Sequence, residues 1–314
     1  MSVYTDARST PGKRPGGTDD RDLFMDNYND YLLEAWEETF DFMDETFVKS
    51  ITAGKSDTFP TLGRKRDAQD HIPGEVIRGG GIQHDEVEIT LDNIIYDSAF
   101  IANIDEMIAH YPLVRPYARQ IGESLASISN SRIARTMILA GRDTTPPFPD
   151  GPIPGYFWHA SLRTDASKLE DAAFAGIEYI KTNDVGGGKP KLWLPWQQQL
   201  LLARYTGIDT EATSGAGNRS TGEVGPVASL PIKGTNSIPK GNITTGPAKY
   251  QGDFTDTVGV IANRMAVGTL RRKGMTSTMT PQPDRLGTLL ISHKLEGHGP
   301  LRNECAYELR ISAR

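Results

Sequence analysis

The chain has 314 residues, with 34 Lys and Arg against 40 Asp and Glu, and a formal charge of −6. That length allows one large domain or two ordinary ones, and the acidic balance argues against a protein whose whole surface grips nucleic acid. With 32 glycines and 20 prolines, turns and irregular connections should be frequent, and no run of about 18 apolar residues offers a membrane span.

Residues 1–21 read as a polar, extended tail without the apolar core of a signal peptide, which fits a protein made and kept in the cytoplasm. From 22 to 47 there are nine acids (Asp22, Asp26, Asp30, Glu34, Glu37, Glu38, Asp41, Asp44, Glu45) and no Lys or Arg, leaving +3 for the rest of the −6 chain. Leu32, Trp36, Phe40, Met43 and Phe47 recur at helical spacing in the same stretch, so it reads as an amphipathic helix that docks by this stripe. Glu34, Glu37, Glu38, Asp41 and Glu45 then form an acidic face for water or a basic partner; a plain solvated face is the bland alternative. Residues 51–90 read as a polar two-stranded excursion, with strands at 58–62 and 86–91. Between the strands lie Arg64, Lys65 and Arg66, His71, Pro73-Gly74 and three consecutive glycines at 79–81. Too apolar-poor to bury itself, the excursion must lie on the surface or on another molecule.

Residues 93–111 are rich in isoleucine and lead to a long helix over 116–140, whose apolar side carries Tyr117, Ile121, Leu125, Ile128 and Met137. Gly141 is its stop. A proline-rich crossing at 146–154 precedes a second compact unit: a helix at 165–181, a buried strand at 192–195 and a short helix at 196–205. The stretch 206–256 reads as strands joined by long loops. Strands return at 257–262, 286–295 and 306–311, and together these elements predict one α+β architecture with mostly antiparallel sheet.

No motif makes a positive case for catalysis. Gly186-Gly187-Gly188-Lys189 lacks the leading glycine and the Ser or Thr of a phosphate loop, since Pro190 follows the lysine. Gly215-Ala216-Gly217 lacks the third glycine of a dinucleotide fingerprint. The six histidines show no helical pair at metal-ligand spacing, and His84-Asp85-Glu86 reads better as a solvated strand end. Cys305 is the sole cysteine, which rules out an intrachain disulfide and reads as a buried packing residue in a strand. No catalytic residue, cofactor or metal is therefore expected.

Three stretches resemble the major capsid proteins of short-tailed podoviruses of the Autographiviridae type, an HK97-fold family. The first runs from Ser50-Ile51-Thr52-Ala53-Gly54-Lys55-Ser56 through Phe59-Pro60-Thr61-Leu62-Gly63-Arg64 to Pro73-Gly74-Glu75. The second is His110-Tyr111 with Gly122-Glu123-Ser124-Leu125-Ala126. The third is Ala266-Val267-Gly268-Thr269 with Glu296-Gly297-His298-Gly299-Pro300-Leu301-Arg302, followed by Glu304 and Ala306. The resemblance runs in order from about residue 48 to the end.

The resemblance implies an α+β, HK97-like capsid fold. Residues 1–48 would be an N-terminal arm and 49–92 an extended hairpin loop reaching over a neighbouring subunit. Residues 93–146 and 271–296 would form a peripheral domain on the 116–140 spine helix, and 147–270 with 297–314 an axial domain. It further implies hexamers and pentamers of identical copies in an icosahedral head around double-stranded DNA, held without sequence-specific binding. A portal protein at one vertex, a scaffolding protein during assembly and room for a decoration protein complete the expected partners, with no membrane. Arg64, Lys65 and Arg66 are the expected inter-subunit contact. The acids of 34–45 would line the lumen of the virion shell, assembled in the host cytoplasm. A nanocompartment shell around protein cargo, or a hydrolase centred on Cys305 or a histidine, are the rival readings.

Overall fold

The computed structural model describes residues 20–42, 44–63, 68, 70–74, 76, 77, 79, 81–102, 114–146, 151–205 and 224–314, with side chains from Tyr28 onward. The chain divides into two compact units: 1–40, 95–126 and 275–294 in the first, and 41–94, 127–274 and 295–314 in the second.

The first unit contains helix α1 (Asp20–Thr39), strand β4 (Ile95–Ala102), the opening half of α2 (Val114–Arg142) and parts of β11 (Val267–Gln282) and β12 (Gly287–Pro300). β4 runs antiparallel to β12 with Tyr96 opposite His293 and Phe100 opposite Leu289. Alternation then sends Ile95 and Ile101 inward and Tyr96 and Phe100 out. The inner face packs on Tyr28 and Leu32 of α1 and on Ala118, Ile121 and Leu125 of α2. The hydroxyl of the buried Tyr28 reaches Ser292 Oγ at 3.0 Å, while burial holds its pKa above the ordinary value. Gly122 lets α1 and α2 touch closely: a Cβ there would lie 2.6 Å from the Leu32 carbonyl oxygen and 3.2 Å from Ala35 Cβ.

The second unit is built on a five-stranded mixed sheet in the order β5-β13-β10-β6-β7, comprising Tyr156–Trp158, Ala306–Arg310, Thr257–Ala262, Lys191–Leu194 and Ile232–Gly234. β10 is buried along its whole length and antiparallel to both neighbours, the edge strands being parallel to theirs. Helix α3 (Ala166–Thr182) starts where Asp165 accepts a hydrogen bond from the Ser167 N–H at 3.0 Å. Its Leu169, Ala172, Ala173 and Ile180 meet Leu192, Leu194, Ile261 and Leu309 in the core that α4 (Trp196–Arg204) closes with Leu202. Glu308, in β13, is fully buried and held by Arg142, whose Nη2 lies 2.7 Å from Glu308 Oε1. Thr257 Oγ1 also donates to that carboxylate at 2.8 Å. The buried carboxylate is thus paired with a cation and hydrogen-bonded by a hydroxyl, the partners that offset the cost of burying it. The same unit carries β1 (Phe47–Ser50), parallel to β11, the hairpin β2 (Ser56–Leu62) and β3 (His84–Thr90), and the short pair β8 (Asn242–Ile243) and β9 (Gly252–Asp253).

Several expectations need correction. The N-terminal helix stops at Thr39 instead of running to 47. Asp44 has φ of +61°, a left-handed conformation no α-helix contains, and Phe47 opens β1. Phe47 is therefore not on a helical stripe, and Met43 lies outside the described residues. β11, with 16 residues, has no counterpart in the sequence reading, and β12 extends five residues past 295. Cys305 closes a 3₁₀ turn (Asn303–Cys305) just before β13 and is not itself in a strand.

Candidate assembly surfaces

The hairpin is the element whose sequence most plainly cannot bury itself. Its register pairs Phe59 with Val87 and Asp57 with Ile89. One face therefore carries Asp57, Phe59, Thr61, Val87 and Ile89, and the other carries Thr58, Pro60, Leu62, Glu86 and Glu88. Phe59 and Ile89 are buried against Leu270 and Leu301, in a small cluster at the lower half of the hairpin. Gly268 makes room for it, since a Cβ there would come within 2.4 Å of Ile89 Cδ1. Lys49 pins the edge, its ammonium 2.8 Å from Asp57 and 5.5 Å from the centre of the Phe59 ring.

From the end of β2 to the start of β3, the described apolar side chains stand exposed. Val76 is 86% exposed, Ile77 78% and Ile72 61%, and Leu62 and Ile82 are exposed as well. Scattered exposed aliphatics are ordinary, but five within 21 residues of one excursion make it a candidate contact surface. Arg64, Lys65 and Arg66 fall between Leu62 and these residues and lie outside the described set.

The root of the hairpin is polar and buried. The Asp92 carboxylate, 3% exposed, accepts from Arg132 Nη1 at 3.0 Å and from the Tyr250 hydroxyl at 2.7 Å, with Lys249 Nζ 2.7 Å from its other oxygen. The backbone N–H of the buried His298 donates to the Tyr250 hydroxyl at 3.0 Å, and its Nδ1 shares a hydrogen bond with Thr269 Oγ1. Burial, seconded by the charge of Asp92, drives the Tyr250 pKa far above its ordinary value, so the hydroxyl stays a donor. Arg135, one turn from Arg132 on α2, has a lowered pKa from burial and from that neighbouring cation.

The residues expected to form the arm divide between the two units. In the first, Leu32 is buried while Trp36 and Phe40 are half-buried and stacked at 4.7 Å. Glu34, Glu37 and Glu38 are exposed on α1. Glu38 pairs with Arg119 at 2.6 Å, and Arg119 also meets Glu123 at 3.1 Å. The Glu123 hydrogen bond and then the charge of Glu38 raise the Arg119 pKa. In the second unit, Asp41 accepts from Thr235 Oγ1 at 2.5 Å and Glu45 is bound by Lys191. The five acids thus do not share one helical face, because the helix that would have aligned them ends first.

Outside the hairpin, the first unit shows a second exposed apolar surface. Tyr96 and Phe100 stand on the outer face of β4, a strand at the edge of its sheet, and Leu286 caps the β11–β12 turn in a left-handed conformation. Among the described residues no three His, Cys, Asp or Glu side chains converge on a metal site, and no helix is long and apolar enough to cross a membrane.

The exposed tip of the hairpin and the outward face of β4 are the candidate contact surfaces of the subunit. The model of the Gp10A-like major capsid proteins matches residues 58–310. The chain belongs to this family. The major capsid protein of Escherichia phage T7 is 25% identical over 316 aligned residues, covering 90% of each chain. Among solved structures, the capsid of cyanophage P-SCSP1u superposes with a TM-score of 0.76 at 27% identity, covering 87% of this chain and 88% of that one. The mature capsid of bacteriophage PhiM1 superposes at 0.72 with 18% identity and shares the fold. This major capsid protein therefore has the HK97-like α+β fold, and its work is to build a head shell from copies of itself. The family match sets aside the nanocompartment and hydrolase readings. What the sequence reading missed is the Asp92 root: Asp92, Arg132, Lys249, Tyr250 and His298 span more than 200 positions, and no local spacing connects them.

Proposed function

We propose that this capsid protein forms hexamers and pentamers that close into an icosahedral head around the double-stranded DNA of a short-tailed phage, and that the hairpin of residues 49–92 bridges subunits. The exposed row Leu62, Ile72, Val76, Ile77 and Ile82 carries this reading, since a monomer gains nothing from it and a shell repeats its burial in every subunit. Residues 1–48 act as an arm, 93–146 with 271–296 as the peripheral domain on its spine helix, and 147–270 with 297–314 as the axial domain around capsomer centres. Arg64, Lys65 and Arg66 reach an acidic surface on the adjoining copy. Glu34, Glu37 and Glu38 face the lumen, where DNA and a scaffolding protein are the partners. A portal occupies one vertex, a decoration protein has room outside, and assembly takes place in the host cytoplasm.

Negative-stain electron microscopy of the expressed protein tests the central claim. Rings or closed shells are the expected result, and a dispersed monomer at high concentration would overturn it. Deleting residues 63–83 is expected to leave a folded subunit that no longer closes shells.

A further inference from the structure

A two-stranded hairpin has two free edges, and each presents backbone N–H and C=O groups that can pair with another chain. The register says which groups these are. The Gly63 N–H donates to the Gln83 carbonyl and the Leu91 N–H to the Lys55 carbonyl, so the odd-numbered positions turn their backbone inward across the hairpin. Thr58 and Pro60 of β2, and Glu86, Glu88 and Thr90 of β3, therefore turn theirs outward. Side chains occupy these outward groups in a regular way. The Thr58 N–H donates to Oδ1 of Asp57 at 2.8 Å, and the Glu86 N–H donates to Oδ1 of Asp85 at 2.8 Å. Pro60 has no N–H to offer. Lys49 Nζ donates to the Thr58 carbonyl at 2.9 Å, and Lys249 Nζ to the Thr90 carbonyl at 2.9 Å. Lys49, and after it the Thr58 N–H, hold the Asp57 carboxyl below its usual pKa range, which keeps it an acceptor. In the other unit the edge strand β4 repeats the device, for the Ser98 N–H donates to Oδ1 of Asp97 at 2.8 Å.

We propose that Asp57, Asp85 and Asp97, together with Pro60, are edge guards: they remove outward backbone donors from β2, β3 and β4, so that free copies of the subunit do not join by extending one another's sheets. The sequence shows the need. Phe59, Val87, Ile89, Tyr96 and Phe100 are strong strand formers, and Tyr96 and Phe100 stand exposed on β4 itself. Exposed strand-forming edges are where chains add to one another without specificity, and subunits accumulate before a shell closes. A carboxylate folded onto the next residue's N–H opposes such pairing twice. It fills the donor, and its charge makes burial beneath a second strand costly. What stays open to a neighbour is the side chains of the hairpin tip, so contact there is selected by side-chain fit and not by backbone pairing. The guards work whatever surface the tip meets.

Two triple variants of the full chain separate acceptor from charge. Asp57→Ala with Asp85→Ala and Asp97→Ala removes both, whereas Asp57→Asn with Asp85→Asn and Asp97→Asn removes the same charge and keeps an oxygen on each N–H. Turbidity, thioflavin T fluorescence and electron microscopy are followed against protein concentration, with the melting temperature as the check on folding. The alanine variant should form thioflavin-positive aggregates at a concentration roughly tenfold lower than wild type, the factor expected from one net hydrogen bond gained per contact. The asparagine variant should aggregate no earlier than wild type. If the alanine variant melts lower, Pro60→Thr decides, since it restores a donor to the same edge and removes no side-chain hydrogen bond. It too should aggregate earlier, and its staying soluble would overturn the guards. An alanine variant as soluble as wild type would also overturn them. So would an asparagine variant that aggregates as readily as the alanine one, because charge alone would then be the barrier. Shells are scored separately in the same micrographs, so failure of the head-building reading leaves this result readable.

Discussion

Single residues explain why certain short sequence stretches carried the resemblance. Gly122, in the Gly122–Ala126 stretch, is where α1 meets α2, and the atoms facing it include the Leu32 carbonyl oxygen and the Trp36 backbone N at 3.3 Å. Backbone cannot rotate away as a side-chain end can. Gly122→Ala should therefore force the helices apart and destabilise the chain by about 1–3 kcal/mol, lowering the melting temperature and exposing α1 to proteolysis. Gly241→Ala, where nothing lies within 4 Å of the new methyl, is the control and should melt as wild type. Cys305 gives a second prediction. The thiol is buried and donates to the Gly186 carbonyl at 3.3 Å, so no covalent link between subunits can pass through it without local opening. Particles should keep their size and sedimentation in strong reductant. Dimer bands on a denaturing gel that vanish with reductant would contradict this.

The hairpin and the segments beneath it were legible to different degrees as elements. Both strands show in the sequence because Phe59, Val87 and Ile89 alternate with polar residues, and their lack of a core was readable from composition. The seat below was not. Gly268, Gly297, Gly299 and Leu301 come from the Ala266–Thr269 and Glu296–Arg302 stretches quoted for the resemblance, and they converge on Ile89 and Thr90 only in the fold. β11 escaped because Arg271-Arg272-Lys273-Gly274 breaks any apolar alternation, and pairing with its neighbours, not propensity, makes it a strand. α1 was overrun for the opposite reason: Phe40, Met43 and Phe47 continue the helical spacing past the end at Thr39. The basic cluster Arg64, Lys65 and Arg66 supports a prediction at this scale. Exposed ion pairs are worth only about 0–1 kcal/mol each, but a shell would repeat the proposed contact in every subunit. Reversing all three to Glu should leave the subunit's melting unchanged and sharply reduce shell yield, counted by sedimentation and microscopy. Normal yield would mean that the cluster serves only solubility.

Charge is unevenly distributed in the whole molecule, and that distribution frames the remaining prediction. The −9 carried by residues 22–47 read in the sequence as one acidic face; the fold divides it. Asp41 and Glu45 are spent on Thr235 and Lys191, and Glu38 is shared with Arg119. Glu34 and Glu37 remain exposed on α1. If these carboxylates line the lumen, as proposed, a shell repeats them in every subunit, and a surface of one sign would repel DNA phosphates and let the genome slide during packaging instead of adhering. The same carboxylates can hold a basic scaffolding segment, released as salt or DNA competes for the charge. Glu34→Lys with Glu37→Lys tests this effect, since the buried stripe of α1 is untouched; because the charge of Glu34 also acts on Arg119, the melting temperature of the variant is measured alongside. The double variant should assemble poorly on its scaffold, or yield shells that bind DNA with a steep salt dependence. Replacing Asp41 and Glu45 instead should act on stability, since those side chains hold the fold. If the Glu34–Glu37 variant assembles, releases scaffold and fills with DNA at the wild-type rate, the acids of α1 face plain solvent and have no lumenal role.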